Sequence, residues 1–142
     1  MKYKYLGKLQ QGFTLIELLV VLVILGLLAS LAGPKVMNYL GGAKSDSAKL
    51  QIEEFGASLD LFKLETGRYP TSQEGLQGLV QAPSGLAGWN GPYLKKKTVP
   101  KDPWGNEYHY VAPGQHGLYD LSSFGADNRE GGDGDNKDLT NW

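Results

Sequence analysis

The feature that most constrains this chain is a long apolar run near its N-terminus. From Phe13 to Gly33 the sequence contains one charged residue, Glu17. At about 1.5 Å per residue, a helix of this length spans roughly 30 Å, which is the thickness of a bilayer's hydrocarbon core. The run therefore predicts a membrane-spanning helix rather than the buried helix of a soluble protein.

A short basic segment precedes the apolar run. Residues 1–12 contain Lys2, Lys4 and Lys8 and no acidic residue. Basic flanks stay on the cytoplasmic side, so the remainder of the chain is expected across the membrane. A secretory signal peptide has a similar outline. However, Gly12-Phe13 stands before the apolar core, and the amphipathic pattern continues beyond Pro34.

The acidic residue inside the apolar run has two interpretations. A carboxylate in a membrane segment is costly near the centre and less so near an end. Glu17 can be an interfacial acid favoured by the helix dipole, or it can pair with a cation in an assembly of such helices. Cleavage between Gly12 and Phe13 would create an ammonium group four residues before Glu17, in its own chain or in a neighbour.

Composition excludes several classes of function. The chain has 142 residues, no cysteine and a net charge of -1, so disulfides, thiolate chemistry and nucleic-acid binding are not expected. The two histidines, His109 and His116, stand alone without an HExxH pattern. No Gly-x-Ser-x-Gly, Walker or Rossmann motif occurs, so we expect no enzyme activity.

A second helical segment follows the apolar run. Gly33-Pro34 predicts either a kinked or locally melted segment or a simple exit from the membrane, and Gly41-Gly42 is a second weak point. Helical periodicity returns from 43 to 66, and Gly67 is expected to end the helix. One apolar stripe at spacings of four and three residues runs along it: Ala48, Ile52, Phe55, Leu59 and Phe62.

The remaining residues predict a small sheet that covers this stripe. They are too rich in glycine and proline for a helical bundle. A short helix at 73–80 is expected with Ser72 as its N-cap, and Asp102-Pro103-Trp104-Gly105 predicts a turn. The expected strands lie at 93–94, 107–111 and 118–124.

A glycine-rich acidic loop lies near the C-terminus. It contains four aspartates, Asp127, Asp133, Asp135 and Asp138. Oxygen ligands on a flexible backbone suit Ca²⁺ better than Mg²⁺. The loop departs from both the EF-hand and the Gly-Gly-x-Gly-x-Asp patterns, so composition alone leaves a metal site and a plain acidic loop equally open.

The N-terminal motif resembles a known processing signal. Gly12-Phe13-Thr14-Leu15-Ile16-Glu17-Leu18 is similar to the class III signal of type IV pilins and pseudopilins. The resemblance implies that a prepilin peptidase cleaves after Gly12 and methylates Phe13. It also implies that Glu17 contacts the N-terminus of another subunit during assembly. Local melting at Pro34 would let a fibre subunit lengthen, so Pro34 is a second candidate assembly residue.

Motifs along the rest of the chain resemble the major pseudopilin of the bacterial type II secretion system. They are Thr66-Gly67-Arg68-Tyr69-Pro70-Thr71, Glu74-Gly75-Leu76, Asp102-Pro103-Trp104-Gly105, Pro113-Gly114-Gln115-His116-Gly117 and Asn141-Trp142. The resemblance implies an α+β fold, the type IV pilin-like ladle. In it, a long N-terminal helix packs on a small antiparallel sheet with a calcium-binding C-terminal loop.

The same resemblance implies a Ca²⁺ ligand set. The family pattern places the Phe124 carbonyl and the Asp127 and Asp138 side chains on the ion. The loop between them varies in length, so Asp133 and Asp135 are added on their chemistry alone. Type IV pilins usually close this region with a disulfide, which a chain without cysteine cannot form.

The expected organisation has three parts: a cleaved leader at 1–12, a transmembrane and fibre-core helix at 13–33, and a periplasmic head at 34–142. The implied function is a structural subunit that polymerises into the periplasmic pseudopilus and supports export of folded proteins across the outer membrane. Implied partners are copies of itself, minor pseudopilins, prepilin peptidase and the inner-membrane assembly platform, without nucleic acid. The alternatives are a type IV pilus or competence pilin and, from another class, a secreted calcium-binding protein.

Overall fold

The computed structural model describes residues 12–142, which form one long helix, three short strands and two 3₁₀ segments. The helix α1 comprises Leu15–Thr66. The chain divides into two compact units, one ending at Asn38 and the other comprising Tyr39–Trp142. An α+β protein with a long N-terminal helix and a small antiparallel sheet is what the sequence predicts, and this part of the prediction is confirmed.

The first unit contains the apolar part of α1. Every described side chain from 12 to 38 is exposed, including Leu22 and Ile24 in the middle of the apolar run. By length and composition α1 is able to cross a membrane. An apolar surface of this length with no protein against it needs lipid or other helices as its solvent.

The helix continues through the predicted weak points. Pro34 lies inside α1, and Gly41-Gly42 is helical as well. The prediction of a locally melted segment is therefore wrong for this structure. Proline removes one N–H donor and crowds one carbonyl, and the hydrogen bonds of the neighbouring residues keep the helix together. Membrane exit near Pro34 stays a prediction.

The C-terminal half of α1 buries the predicted stripe. Ala48, Ile52, Phe55, Leu59 and Phe62 are all buried, which confirms the periodicity argument. Each large apolar side chain buried in this way contributes about 1.5–3 kcal/mol relative to an exposed one.

Gly67 ends α1 as predicted. It has a φ of 84°, which favours glycine, and its N–H donates to the Lys63 carbonyl at 2.8 Å. A left-handed glycine just after the last helical residue satisfies a carbonyl that would otherwise lack a donor.

The sheet has three antiparallel strands in the order β1-β2-β3, with β1 at His109–Val111, β2 at Asp120–Ser123 and β3 at Leu139–Thr140. Tyr110 pairs with Leu121 across the first ladder, and Ser123 pairs with Leu139 across the second. Two predicted strands are thus confirmed with shorter bounds. The expectation of a strand at 93–94 is wrong, and β3 was not predicted.

The core joins the helical stripe to the sheet and to a 3₁₀ helix at Gly75–Leu79. Leu79 and Leu121 are fully buried within it, and Tyr108 meets Phe55 edge to face with ring centroids 5.1 Å apart. Such aromatic pairs add about 0.5–1.5 kcal/mol beyond area burial. This core fixes β2, and therefore the point at which the acidic loop leaves the sheet.

Ser72 does not cap the helix that follows it. Its hydroxyl exchanges hydrogen bonds with the backbone of Ala112, donating at 3.1 Å and accepting at 2.9 Å. A reciprocal pair closes the turn before the 3₁₀ helix instead: the Thr71 hydroxyl accepts from Glu74 N at 3.2 Å, and Thr71 N donates to Glu74 Oε2 at 2.8 Å. This reciprocal pair is a capping box. The expectation that Ser72 is the N-cap is wrong, because the residue that directly precedes the 3₁₀ helix is Glu74.

Candidate functional site

The N-terminal acid caps its own helix. Glu17 Oε2 accepts hydrogen bonds from Thr14 N at 2.7 Å and from Thr14 Oγ1 at 2.9 Å. In return, Glu17 N donates to Thr14 Oγ1 at 3.3 Å. The pair is a capping box, which satisfies N–H groups that have no partner within the helix. Gly12 and Phe13 directly precede it and are exposed.

This geometry places Glu17 close to the predicted cleavage point. Thr14 N belongs to the residue after Phe13, so the carboxylate already reaches back to within one residue of the predicted new terminus. Glu17 is exposed on the described helix. It is therefore accessible both to the amino group of its own Phe13 and to that of a neighbouring helix.

The acidic loop starts at the end of β2 and closes on itself. Ala126 N donates to the Asp135 carbonyl at 2.8 Å. Gly125 has a φ of 66°, and a Cβ added there would lie 2.6 Å from the same carbonyl oxygen. Only glycine fits so close an approach of two backbone segments. The first and last parts of the loop are thereby held together.

Two of the predicted ligands have carboxylates that point into the loop. Asp127 Oδ1 accepts from Arg129 N at 3.2 Å, and Asp138 Oδ2 accepts from Gly131 N at 2.8 Å. The second oxygen of Asp138, Oδ1, is buried and has no hydrogen-bond partner. A buried carboxylate oxygen without a partner is costly, and a cation is one group that satisfies it.

The other predicted ligands occupy different positions. Asp133 is exposed, and its carbonyl accepts from Asn136 N at 3.0 Å at a 3₁₀ turn, Gly134–Asn136. The Asp135 carboxylate lies against Gly41 of α1, since a Cβ added to that glycine would overlap its Oδ1. The ring of Phe124 stacks on His109 with centroids 4.0 Å apart, which leaves its backbone carbonyl as the group of interest.

The fit of this loop to a cation is partial. Among residues 12–142, the structure holds no group of three or more histidine, cysteine or acidic side chains placed to bind a metal. The donors present are nevertheless carboxylate and carbonyl oxygens, the kind that Ca²⁺ prefers. The unpartnered oxygen of Asp138 is the one geometric feature that favours a bound ion.

Sequence reasoning missed a buried acid beside the loop. Asp102 was considered only as the first residue of a turn, which is confirmed by the Gly105 N to Asp102 O hydrogen bond of 2.9 Å. Asp102 is only 4% exposed, and its carboxylate accepts a hydrogen bond from the Ser123 hydroxyl at the end of β2. An aspartate that begins an Asp-Pro-x-Gly turn often bonds to the turn's own N–H groups, and this was the available signal.

Neither histidine is part of a catalytic arrangement. His116 stacks on Trp142 with ring centroids 4.1 Å apart, and its Nδ1 lies 3.0 Å from Asp120 Oδ2. His109 stacks on Phe124 and lies 3.4 Å from the side-chain oxygen of Asn128. Both rings therefore have structural partners at the ends of strands.

Comparison with known proteins identifies two family profiles on consecutive parts of the chain. The profile described as "Type II secretion system (T2SS), protein G" matches residues 35–142. The profile described as "Prokaryotic N-terminal methylation motif" matches residues 7–33.

Several curated relatives are similar over almost the whole chain. The type II secretion system core protein G of Pseudomonas aeruginosa is 50% identical, covering 94% of this chain and 95% of the relative. The proteins of that name from Vibrio cholerae and Escherichia coli are 43% and 45% identical, covering 94% of this chain and 92% and 91% of the relatives.

A solved structure has the same fold. The major pseudopilin from the type 2 secretion system of enterohaemorrhagic Escherichia coli superposes with a TM-score of 0.65 at 28% identity. The match covers 75% of this chain and 88% of that one.

Proposed function

This chain belongs to the type II secretion system protein G family, and we propose that it is the major structural subunit of a periplasmic secretion fibre, the pseudopilus. Members of this family are structural subunits rather than enzymes. The observation that carries the proposal is the order of the two matched profiles, a methylation motif at residues 7–33 followed by protein G at 35–142.

We propose that the exposed apolar half of α1 lies first in the membrane and later in the core of the fibre. Before assembly, the helix from 13 to 33 would span the inner membrane once, with the basic residues 1–12 in the cytoplasm and the head at 34–142 in the periplasm. After assembly, the same surface would pack against other copies in the fibre core. Both environments hide apolar side chains that have no protein against them in the single chain.

Processing at the N-terminus links these two states. We propose cleavage after Gly12 by a prepilin peptidase and methylation of the new N-terminus at Phe13. Glu17 would then exchange its hydrogen bonds with Thr14 for an ion pair with a Phe13 ammonium, in its own chain or in a neighbour. In a medium that excludes water, such a charged hydrogen bond is stronger than a neutral one. Pro34 remains a candidate assembly residue, because it lies inside α1 and removes one N–H donor from it.

The partners follow from this proposal. The fibre would be a homopolymer whose other partners are minor pseudopilins and an assembly platform in the inner membrane. It would support the export of folded proteins across the outer membrane, and it does not bind nucleic acid. A net charge of -1 supports the last point, since phosphate binding requires an excess of basic side chains.

We also propose that the acidic loop binds one Ca²⁺. Its proposed ligands are the Phe124 carbonyl and the Asp127 and Asp138 side chains, with Asp133 as a further donor, and the unpartnered oxygen of Asp138 supports the site. Asp135 would have to leave Gly41 to contribute its side chain. A bound Ca²⁺ would neutralise the loop and tie the end of β2 to the start of β3, the role a disulfide has in pilins.

Two alternatives are less well supported. A type IV pilus or competence pilin would share the N-terminal motif, but the protein G profile covers the residues beyond it. A secreted calcium-binding protein would have an ordinary signal peptide, whereas the methylation motif covers the same residues here.

The N-terminus of the mature chain tests the proposal. The full chain is expressed with a prepilin peptidase, and the membrane-extracted protein is examined by intact-mass and N-terminal sequencing. A chain that begins with N-methylated Phe13, and that yields a ladder of oligomers after cross-linking in the membrane, is the expected result. A chain that begins near residue 33 and is recovered in the soluble fraction would instead support the secreted alternative.

A further inference from the structure

A buried carboxylate lies beside the first residues of the acidic loop. Asp102 Oδ1 accepts hydrogen bonds from Trp104 N at 3.1 Å and from Asn106 N at 2.8 Å. Asp102 Oδ2 accepts from Ser123 Oγ at 2.6 Å. Ser123 itself is fully buried. Because both oxygens have donors, this acid is held in one orientation, and it fixes the Ser123 hydroxyl and the backbone of Asn106 in turn.

The two residues fixed by Asp102 both hold Gly125. Ser123 Oγ accepts from Gly125 N at 3.3 Å. Asn106 Nδ2 donates to the Gly125 carbonyl at 3.1 Å. Gly125 is buried, and it is the residue on which the far side of the loop closes. Both polar groups of its backbone are therefore held by residues that bond to Asp102.

The hydrogen bond that holds Gly125 N also sets the direction of the Phe124 carbonyl, one of the proposed Ca²⁺ ligands. Gly125 N and the Phe124 carbonyl belong to the same peptide unit. That unit is planar, and it is not one of the cis bonds found among residues 12–142. In a trans unit the N–H and the C=O point in opposite directions, so an N–H turned towards Ser123 turns the Phe124 oxygen away from it.

We propose that Asp102 is a positioning residue for cation binding, and that it acts through Ser123 and Asn106 to orient the Phe124 carbonyl and the start of the acidic loop. This inference rests on the proposed Ca²⁺ site. Its physical basis is that groups which orient metal ligands, without touching the metal, typically change affinity by about 10–100-fold when removed.

A purely structural role for the same residues makes a different prediction. Loss of a buried hydrogen bond lowers stability whether or not Ca²⁺ is present. Loss of ligand orientation weakens Ca²⁺ binding in protein that is still folded. The two roles are separated by measuring the Kd for Ca²⁺ at a temperature at which every variant is folded.

The experiment uses the full chain in detergent micelles, with Ca²⁺ titrated calorimetrically after chelator treatment. Ser123→Ala removes the acceptor for Gly125 N. Asn106→Ala removes the donor to the Gly125 carbonyl but keeps the backbone N–H that bonds to Asp102. The control is Tyr110→Phe, which removes a half-buried hydroxyl that donates to the Pro70 carbonyl at 2.8 Å.

We expect Ser123→Ala to raise the Kd for Ca²⁺ about tenfold or more, and Asn106→Ala to raise it in the same direction. Tyr110→Phe should lower the melting temperature with and without Ca²⁺ and leave the Kd unchanged. A Kd that stays at the wild-type value in the folded Asn106→Ala and Ser123→Ala proteins, while Asp138→Ala abolishes binding, would overturn the positioning role and leave the site intact. Absence of Ca²⁺ binding by the wild-type chain would overturn the site and the positioning role together.

Discussion

Glu17 Oε2 accepts hydrogen bonds from both the backbone N–H and the hydroxyl of Thr14, at 2.7 and 2.9 Å. The acid in the apolar run therefore has a local role in the single chain, as the partner of a helix cap. The proposed assembly role requires the same carboxylate to pair with the Phe13 ammonium. Capping depends on an oxygen acceptor and pairing depends on a negative charge, so substitutions separate the two.

The first prediction concerns the charge of Glu17. Glu17→Gln keeps a side-chain oxygen that can accept from Thr14 but has no charge. We expect it to insert into the membrane normally, because removing a charge makes insertion easier. The yield of cross-linked oligomers should fall about tenfold or more. Glu17→Ala should lower it as well, because each substitution leaves the Phe13 ammonium without a partner in a fibre core that excludes water.

The matched control is Thr14→Ala, which removes the capping hydroxyl and keeps the charge. It should assemble nearly as well as the wild type. Normal oligomers from Glu17→Gln together with loss of assembly in Thr14→Ala would show that capping is the requirement and that the ion pair is not.

The second prediction concerns processing at Gly12. Gly12→Val places a β-branched side chain next to the proposed scissile bond, where a small subsite is expected. The precursor should accumulate at its uncleaved mass and form no oligomers. Gly26→Val, in the middle of the apolar run, is the control and should be cleaved. Mature-size protein from Gly12→Val would show that the leader assignment is wrong.

The third prediction concerns the ion pair that follows α1. Arg68 donates to both carboxylate oxygens of Glu74, at 2.7 and 2.8 Å. These hydrogen bonds, with a smaller contribution from Thr71 N, lower the pKa of Glu74 from 4.5 to about 2. Glu74→Gln should lower the free energy of unfolding by about 1 kcal/mol at pH 7, since the pair is partly exposed and part of a cap.

The pH dependence of this difference has a definite sign. A carboxyl group whose pKa is lower in the folded state stabilises the fold above its unfolded pKa, here about 4.5. That contribution is lost as the pH falls towards about 2. The free energies of unfolding of the wild type and Glu74→Gln, measured by chemical denaturation, should therefore differ by a constant amount above pH 5. The difference should shrink below pH 5. A difference that grows on acidification would contradict the assignment.

The fourth prediction concerns cation-dependent stability. At a Ca²⁺ concentration of a hundred times Kd, binding to the folded state adds about 2.7 kcal/mol. For a head of this size that corresponds to a rise of roughly 10 °C in melting temperature. Mg²⁺ should replace Ca²⁺ poorly, because its octahedral shell tolerates an irregular loop badly.

Two aspartates provide the internal comparison for this measurement. Asp138→Asn should abolish the rise, because Asp138 has the buried oxygen without a partner. Asp135→Asn should largely keep it, because that carboxylate lies against Gly41. The same melting temperature for the wild type in chelator and in millimolar Ca²⁺ would rule out the site.

The helical parts of the fold were predictable because their signals are local. The stripe from Ala48 to Phe62 follows from spacing alone, and Gly67 ends the helix because it adopts a backbone conformation that favours glycine. Local melting at Pro34 was expected because the cost of one lost hydrogen bond was considered without the helix that continues on both sides of it. Helix formation is cooperative, so its neighbours decide the outcome.

The sheet and the loop were less predictable because their geometry depends on partners distant in sequence. β3 has two residues, Leu139–Thr140, and is recognisable only through its pairing with β2. The role of Asp102 depends on Ser123, which lies 21 residues further along the chain. The composition of the acidic loop indicates a candidate cation site. Only the structure shows that Asp138 and Asp135 have different surroundings.

The measurement that tests the central proposal most directly is protein secretion in the bacterium that carries this chain. After deletion of its gene, exoproteins are assayed in the medium and in the periplasm. We expect them to accumulate, folded, in the periplasm. A plasmid copy of the wild type should restore export, and Gly12→Val should not. Unchanged export after deletion, or full restoration by Gly12→Val, would contradict the account of this chain as the processed subunit of a secretion fibre.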